Sequence, residues 1–442
     1  MGMLINIDNG GTLTDICVLK DNNFYKTKTL TTPYDLSKCF FDGLKDVSKV
    51  IYGEEDVARL LAEVEHIRYS TTQGTNAIVE RKGPKLGMVI NKGNSNLISL
   101  MKKQDPDLFT FLVGDRVEEI DLADLKDPES AAETTTSITR LTARGANRVV
   151  VCFDTDEATQ FESQFKKIAF NNYPRHLLGA VPMLFATELA EDVSSGRRGW
   201  TALVNSFLHP AMESFLYNAE NRLREYRTKN PLLIFRNDGD ASRVAKTIAL
   251  KTYSSGPRGG MEGVKEFSKQ YKLSNVISMD IGGTTTDIGH VVNNVVDESR
   301  RGTVEGVPIS FGLCEIASPG VGGSSILSID GKNIKVGPES VGAVPGPASF
   351  GRGGKESTMT DVNLLMGLLD PKTFFGGGLK LDIDRALAAI QENIATPLGI
   401  SSDEALIKLR DAYDTKVAGE LSSFATVSDE TVLLAFGGAG PM

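Results

Sequence analysis

Apolar residues fall along the chain in short runs and in helical periods. Met3–Ile7 is a short apolar run and predicts a strand; Gly10-Gly11 predicts a tight turn and Asp15–Lys20 a second strand. Together they make a β-hairpin with glycines at its tip. Apolar positions return every three or four residues through Tyr34–Val50 and again through Val57–Val64, the period of a helix. Leu86–Ile90 and Arg148–Phe153 predict short buried strands, while Ala186–Arg198 is polar and predicts a connection. From Thr201 to Tyr226, Leu203, Phe207, Met212, Phe215, Leu216 and Leu223 keep helical spacing, predicting one long helix or two broken near Pro210. Pro231–Phe235 and Asn275–Asp280 predict strands, the second leading into another glycine-tipped hairpin. Residues 319 to 354 are rich in Gly and Pro and predict loop. Leu381–Asn393 and Asp403–Leu421 predict helices, and Leu433–Phe436 a last strand entering Gly437-Gly438-Ala439-Gly440-Pro441. Strands and helices alternating in this way predict the α/β class.

Length and charge narrow the picture. A chain of 442 residues is too long for one compact core, so two or three domains are expected. Its 40% hydrophobic and 24% charged content is that of a globular protein, and a net charge of −9 argues against a nucleic-acid surface or an anionic membrane. A small anion such as ATP is still compatible, because backbone N–H groups and a metal bind it locally. Cys17, Cys39, Cys152 and Cys314 show no C-x-x-C spacing, which fits a reducing compartment and no zinc or iron–sulfur centre. No apolar run is long enough to span a bilayer. The first apolar run passes straight into a polar Gly-rich turn, unlike a signal peptide, so a cytoplasmic location is expected.

One nine-residue pattern occurs twice. Asp8-Asn9-Gly10-Gly11-Thr12-Leu13-Thr14-Asp15-Ile16 and Asp280-Ile281-Gly282-Gly283-Thr284-Thr285-Thr286-Asp287-Ile288 agree at seven of nine positions, each after an apolar strand. Such a repeat predicts two related lobes. Glycines let backbone N–H groups approach phosphate oxygens closely, and threonine hydroxyls add donors. The leading carboxylates, Asp8 and Asp280, suit Mg²⁺ held through water, because Mg²⁺ takes oxygen ligands and keeps several waters. Two such loops facing each other would clamp a triphosphate, and phosphoryl transfer needs mainly positioning and charge neutralisation. Gly10, Gly11, Thr12, Thr14, Asp15, Gly282, Gly283, Thr284, Thr285 and Asp287 are therefore candidate nucleotide contacts, with Asp8 and Asp280 as catalytic groups. The alternative reading of each copy alone is a plain tight hairpin. The turn with Gly437, Gly438 and Gly440 would let a flat base or ribose lie against backbone, or is a simple terminal turn.

Phosphate loop, second phosphate loop and Gly-rich turn, in that order, resemble the actin-like ATPase superfamily, whose fold is two-lobed α/β. Further segments resemble the hydantoinase A/oxoprolinase family, which includes the ATPase subunits of acetone and acetophenone carboxylases. Ser70-Thr71-Thr72-Gln73-Gly74-Thr75-Asn76-Ala77-Ile78-Val79-Glu80-Arg81-Lys82-Gly83 is similar to its H-G-T-T-x-x-T-N-A-x-x-E-R-x-G stretch, with Tyr69 at the histidine and Ser70 at the first glycine. Ser255-Gly256-Pro257-Arg258-Gly259-Gly260 resembles S-G-P-A-G-G, and Gly320-Val321-Gly322-Gly323-Ser324-Ser325-Ile326 resembles G-A-G-G-G-S-I. The run from Val336-Gly337-Pro338 to Gly351-Arg352-Gly353-Gly354, and Thr360-Asp361-Val362-Asn363, also follow the family pattern.

The resemblance implies an N-terminal lobe over 1–185 carrying the first loop and a second lobe over 186–442 carrying the other loop and the Gly-rich turn. It implies Mg-ATP as cofactor and phosphorylation of the carbonyl oxygen of a cyclic amide (hydantoin, lactam or oxoproline type) or an enolised ketone, followed by attack of water or carboxylate. A second, hydantoinase B-like subunit is implied as partner. Thr71, Thr72, Asn76 and Arg81 become substrate contacts, although the first three also read as caps of the helix holding Ala77–Glu80. The chain departs from the family at its D-x-H metal motif, where Glu315 and Ala317 stand; Glu315 is left as a weak Mg²⁺ ligand, and no tightly held transition metal is expected. His290 or Cys314 would be the substitutes if one were held. Family members also continue for some two hundred residues past the matching G-G-A-G-P. His66, His176, His209 and His290 read as surface or helix-end residues, Arg197-Arg198 as a solvated face or a phosphate contact, and Trp200 as core. Three functions follow: an ATP-dependent amide hydrolase or carboxylase-type enzyme, a small-molecule kinase, or a non-catalytic subunit.

Overall fold

The structure, a computed structural model, describes residues 2–11, 13–32, 34–79, 81–93, 95–126, 131–174, 176–177, 179–331, 333–374, 378–425 and 427–440. Thr12, Glu80 and Pro441, named above, lie outside the described residues. The chain packs into two units: residues 1–256 with 298–314, and residues 257–297 with 315–442.

In the first unit the strand Met3–Asn9 buries Met3, Ile5, Ile7 and Asn9 and turns Asn6 and Asp8 outward, the period of a sheet with one covered face. It pairs antiparallel with Leu13–Lys20 and parallel with Val64–Thr71. The six-stranded sheet runs in the order Ala241–Arg243, Leu232–Phe235, Val64–Thr71, Met3–Asn9, Leu13–Lys20, Asn23–Leu30. The helix Leu36–Tyr52 starts where the Asp35 carboxylate accepts from Ser37 N and ends at Gly53 with φ +81°, and it buries Cys39, Phe40, Leu44 and Val47. A second, parallel sheet joins Val117–Ile120, Leu86–Asn91, Arg148–Val151 and Met183–Phe185.

The 31-residue helix Ser195–Glu225 runs unbroken through Pro210. An interior proline costs about 3 kcal/mol. Each fully buried large apolar side chain returns about 1.5–3 kcal/mol, and Trp200, Leu203, Phe207, Phe215 and Leu216 are all buried, so packing outweighs the proline. The helix also corrects the expectation for Ala186–Arg198: Ala186–Leu189 is helical, and Ser194 caps the long helix by accepting from Arg197 N. Nor are Arg197 and Arg198 a solvated face. Arg198 is buried and donates to the carbonyls of Asp192 and Phe153. Arg197 makes two bonds of 2.8 Å to the fully buried Asp192 carboxylate, which Arg301 also reaches at 2.8 Å. Arg301 belongs to residues 298–314, which leave the second unit and bury Val304, Val307 and Ile309 in the core of the first.

In the second unit Asn275–Ile281 pairs antiparallel with Thr286–Val292 and parallel with Val432–Phe436. The repeat reaches further than its nine residues: the next turn is Asp21-Asn22 in one copy (φ +49° and +63°) and Asn293-Asn294 in the other (φ +50° and +62°). Both are left-handed two-residue hairpin turns at the same distance from the glycines. The segment 319–354 is less loop-like than its composition predicts, since Ser325–Asp330 and Asn333–Ser340 form a hairpin. The predicted helices are Ile383–Ile390, continued by the wider π turn Gln391–Ala395, and Ser402–Phe424. Among the described residues no helix is long and apolar enough to cross a membrane.

Candidate functional site: two glycine-tipped hairpins with paired carboxylates

In the first hairpin Gly10 N donates to Leu13 O at 2.9 Å, closing the tip. A Cβ on Gly10 would sit 3.0 Å from that same carbonyl oxygen, so the tip takes glycine most easily. Asp8 and Asp15 are directly opposite in the register and share one sheet face. The Asp8 carboxylate accepts from Ser70 Oγ at 2.6 Å, and Asp15 is paired with Lys28 at 2.9 Å. Asp8 is open to solvent as a residue, but protein crowds its carboxyl; dehydration raises its pKa, the Ser70 bond lowers it, and the neighbouring Asp15 charge raises it further. Gly256 stands so close that its Cβ would meet Asp8 Oδ1 at 3.0 Å.

Beneath the tip lies a buried polar network. Asn9 Nδ2 donates to Thr14 Oγ1 at 2.8 Å, Thr14 and Thr31 hydroxyls bond at 3.0 Å, and Thr31 Oγ1 donates to Gly10 O at 2.8 Å. Cys39 Sγ lies 3.6 Å from Thr14 Oγ1, and Thr71 Oγ1 donates to Asn9 Oδ1 at 3.3 Å. The Thr14 hydroxyl thus faces the interior. Thr71 and Thr72 tie the next helix to the hairpin: Gln73 N donates to Thr71 Oγ1, Thr72 N to Asn9 O, and Thr71 N to Ser255 Oγ. Asn76 Nδ2 is 3.2 Å from where a Gly11 Cβ would be, which keeps it beside the tip. Arg81, with φ +53°, lies over the Phe111 ring at 5.7 Å. Tyr69 points the other way, into the core between Phe215 and Phe40 at ring distances of 4.6 and 6.0 Å; burial holds its hydroxyl well above the ordinary tyrosine pKa.

The second hairpin repeats the tip. Gly282 N donates to Thr285 O at 2.9 Å, and Asp280 lies opposite Asp287. Asp287 accepts from Ser318 Oγ. Here the support is backbone: Gly323 N and Ser324 N donate to Gly282 O and Gly283 O, while Thr286 Oγ1 donates to Val321 O at 2.6 Å. A Cβ on Gly322 would lie 2.7 Å from Gly283 O. The Gly-rich turn joins the same corner. Ala439 N donates to Ile281 O at 3.0 Å, and Gly437, with φ +90°, would place a Cβ 2.2 Å from Asp280 Oδ1. Gly438 has open space around it, and Gly440 packs on Phe436. Thr284 and Thr285 are partly exposed at the tip.

A cavity of about 200 Å³ opens beside this turn, lined by Met279, Ile281, Arg410, Tyr413, Ala439 and Gly440 among others. Among the described residues the buried Tyr413 hydroxyl has no hydrogen-bond partner, and burial pushes its pKa up to about 12. Glu315 is exposed, and its neighbours Ile316–Ala317 pair with Thr286–Val292. His290 Nε2 is 2.6 Å from Asn275 Oδ1, at the end of the sheet away from the tip. Among the described residues no three His, Cys, Asp or Glu side chains converge as a metal site. The donor set does suit Mg²⁺, which takes one or two protein carboxylates and completes its shell with water and phosphate. Ser70, Ser318, Thr31 and Cys39 lie outside the repeated pattern and only the fold brings them to it.

Residues 4–169 match the hydantoinase/oxoprolinase N-terminal region and residues 198–442 match hydantoinase/oxoprolinase. The chain is 29% identical over 466 aligned residues to the acetophenone carboxylase gamma subunit of Aromatoleum aromaticum, covering 99% of this chain and 63% of that protein. It is 26% identical to the caprolactamase subunit alpha of Pseudomonas jessenii, covering 91% of this chain and 60% of that one. It therefore spans less than two thirds of the length of these relatives. Among solved structures, nucleotide-free acetone carboxylase matches with a TM-score of 0.84 at 22% identity, over 100% of this chain and 66% of that one. The ATP-dependent caprolactamase of Pseudomonas jessenii matches with a TM-score of 0.75 at 24% identity, over 99% and 66%. The chain thus shares the α/β architecture of these two solved structures. With a family match over more than half its length and the doubled hairpin in place, the chain belongs to the hydantoinase/oxoprolinase family.

Proposed function

We propose that the chain binds Mg-ATP on its two glycine-tipped hairpins and is the nucleotide-using part of an enzyme that phosphorylates the carbonyl oxygen of a cyclic amide. One observation carries the reading. The two tips close with the same hydrogen bond at the same 2.9 Å and each sets two aspartates side by side. Glycine tips suit phosphate oxygens, and carboxylates suit a hydrated Mg²⁺. Gly10, Gly11, Gly282, Gly283, Thr284 and Thr285 would meet the phosphates, and Asp8 and Asp280 the metal's waters; bound Mg²⁺ would supply charge neutralisation. The cavity beside Gly440 would take the nucleoside.

An amide nitrogen leaves poorly from a neutral carbonyl. In the proposed step the amide oxygen bonds to the γ-phosphorus of ATP and ADP leaves. Water then adds to the carbon, the C–N bond of the tetrahedral adduct opens with protonation of the nitrogen, and a second water hydrolyses the resulting acyl phosphate to carboxylate and free phosphate. The ATP-dependent caprolactamase and the 5-oxoprolinases among the relatives support the amide as substrate. The carboxylases favour a second reading, in which an enolised ketone is phosphorylated and then meets carboxylate. Several relatives are named as subunits, which supports a second, hydantoinase B-like chain as partner; the expected location is the cytoplasm. The test is ATP turnover with hydantoin, 5-oxoproline, caprolactam, acetone and acetophenone, alone and with the partner. Free phosphate with ring opening supports the amide reading, and a stable phosphate ester replaces it by a kinase. Nucleotide binding without turnover under any condition leaves a non-catalytic subunit.

A further inference from the structure

The hairpins differ in one respect that the repeated pattern does not contain. Each has a serine on the neighbouring strand, directly across from one of its carboxylates, but the carboxylate chosen is not the same. In the first hairpin Ser70 lies on Val64–Thr71, opposite Asp8 in a parallel register, and donates to Asp8 Oδ1 at 2.6 Å. In the second, Ser318 follows Ile316–Ala317, whose antiparallel pairing with Ile288 and Gly289 sets it opposite Asp287, and it donates to Asp287 Oδ1. The flanking strand joins the leading strand of one hairpin and the trailing strand of the other, so the serine meets the leading aspartate in one and the trailing aspartate in the other.

We propose that Ser70 and Ser318 are positioning residues, each fixing one oxygen of a carboxylate so that the other is directed away from the serine toward the water shell of a bound divalent cation. The inference rests on the Mg-ATP reading of the hairpins. An ionised carboxylate accepts up to about four hydrogen bonds and turns about its terminal torsion. A short bond from a hydroxyl removes that freedom, as a donor behind a metal ligand does elsewhere, and loss of such a donor costs about 10- to 100-fold in metal affinity or activity. By this assignment the first hairpin orients the aspartate at the start of its pattern and the second the aspartate at its end.

The test uses two readouts. Mn²⁺ binding to the nucleotide-free protein is followed by the electron paramagnetic resonance of free Mn²⁺, and steady-state ATP hydrolysis is measured against Mg²⁺ concentration. Ser70→Ala and Ser318→Ala should each weaken Mn²⁺ binding and lower kcat about tenfold, with KM for ATP changed less than about twofold. Ser70→Thr keeps the hydroxyl and should keep most of both, and unchanged melting temperatures would show that the variants fold. Parent-like Mn²⁺ binding and kcat in Ser70→Ala overturns the proposal, as do equal losses in Ser70→Ala and Ser70→Thr. A parent protein without ATP turnover removes the functional reading instead, and the Mn²⁺ titration then decides the role of the serines alone.

Discussion

In the first hairpin the glycine tip rests on side chains: Asn9, Thr14, Thr31 and Thr71 bond to one another below it, with Cys39 in contact. In the second the same corner rests on backbone, because Gly323 N and Ser324 N donate to the two tip carbonyls. One pattern is thus held by two different supports. Its nine residues specify the turn, while the surrounding unit specifies how firmly the turn is held and by what chemistry. A side-chain support is lost by removing a polar atom. A backbone support is lost by adding a methyl group. The hairpins should therefore fail under opposite kinds of substitution.

The largest expected effect concerns the chemistry that the hairpins share. Asp280→Ala should lower ATP turnover by about 100-fold or more while nucleotide affinity falls much less, because a group that orders the metal's waters acts mostly in the transition state. Asp8→Ala makes the comparison: equal losses would mean equivalent hairpins, and unequal losses would rank them. Turnover by Asp280→Ala equal to that of the parent would sink the assignment.

Next comes the added methyl group. Gly437→Ala places a Cβ 2.2 Å from Asp280 Oδ1 and 2.5 Å from Ile281 O at a φ of +90°. Strain of this kind costs about 1–3 kcal/mol, so the melting temperature should drop and nucleotide affinity should fall by up to about 100-fold and at least about fivefold. Gly10→Ala, at the first tip, meets a single carbonyl oxygen at 3.0 Å from its Cβ and should be milder. Equal damage at both positions would contradict the distinction between the supports.

The sequence displays the local half of this comparison. Both tips, the strands before them and the last apolar strand with its glycines follow from hydrophobic period and turn residues, because each is decided within about ten positions. The supports are invisible there. Thr31, Cys39, Thr71 and Ser255 come from four separate elements, and nothing in their own neighbourhoods marks them. Ala186–Arg198 misleads for the related reason that arginine is usually a surface residue, yet Arg198 is buried and donates to the carbonyls of Asp192 and Phe153. The Gly/Pro run concealed the hairpin Ser325–Asp330 and Asn333–Ser340, whose pairing depends on register rather than composition.

Removing a polar atom is the matching experiment for the first hairpin. Thr14→Val keeps the shape and leaves Asn9 Nδ2 and Thr31 without that partner, at a cost of about 1–3 kcal/mol. The change should be seen as a lower melting temperature, and Thr14→Ser should recover most of it. Thr286→Val in the second hairpin loses one bond to the Val321 carbonyl and should cost less. A larger loss there would show that the second support also depends on side chains.

A test of how residues 298–314 are held within the first unit depends on pH. Asp192 is held well below the usual carboxylate range, chiefly by its bonds to Arg197. A carboxyl lowered on folding contributes stability above its unfolded pKa, near 3.9, and loses it as pH falls toward the folded value. Asp192→Asn should therefore melt several degrees below the parent at neutral pH, and the gap should shrink as pH falls below about 4. A gap independent of pH would mean that the anchor for residues 298–314 is packing rather than charge.

The smallest expected effect separates stability from recognition in the second unit. Tyr413 buries a hydroxyl that finds no partner among the described residues, in the wall of the cavity beside Gly440. An unsatisfied buried hydroxyl costs about 1–3 kcal/mol relative to a bonded one, so its removal relieves a penalty. Tyr413→Phe keeps the ring and its packing and should leave the melting temperature unchanged or raise it by a degree or two. If the cavity takes the nucleoside, the hydroxyl gains its partner when nucleotide binds, and the same substitution should weaken ATP by a few-fold while leaving inorganic tripolyphosphate unaffected. Equal affinity of parent and Tyr413→Phe for ATP would place the nucleoside elsewhere. A clear loss of stability would show that the hydroxyl already has a partner in the folded protein.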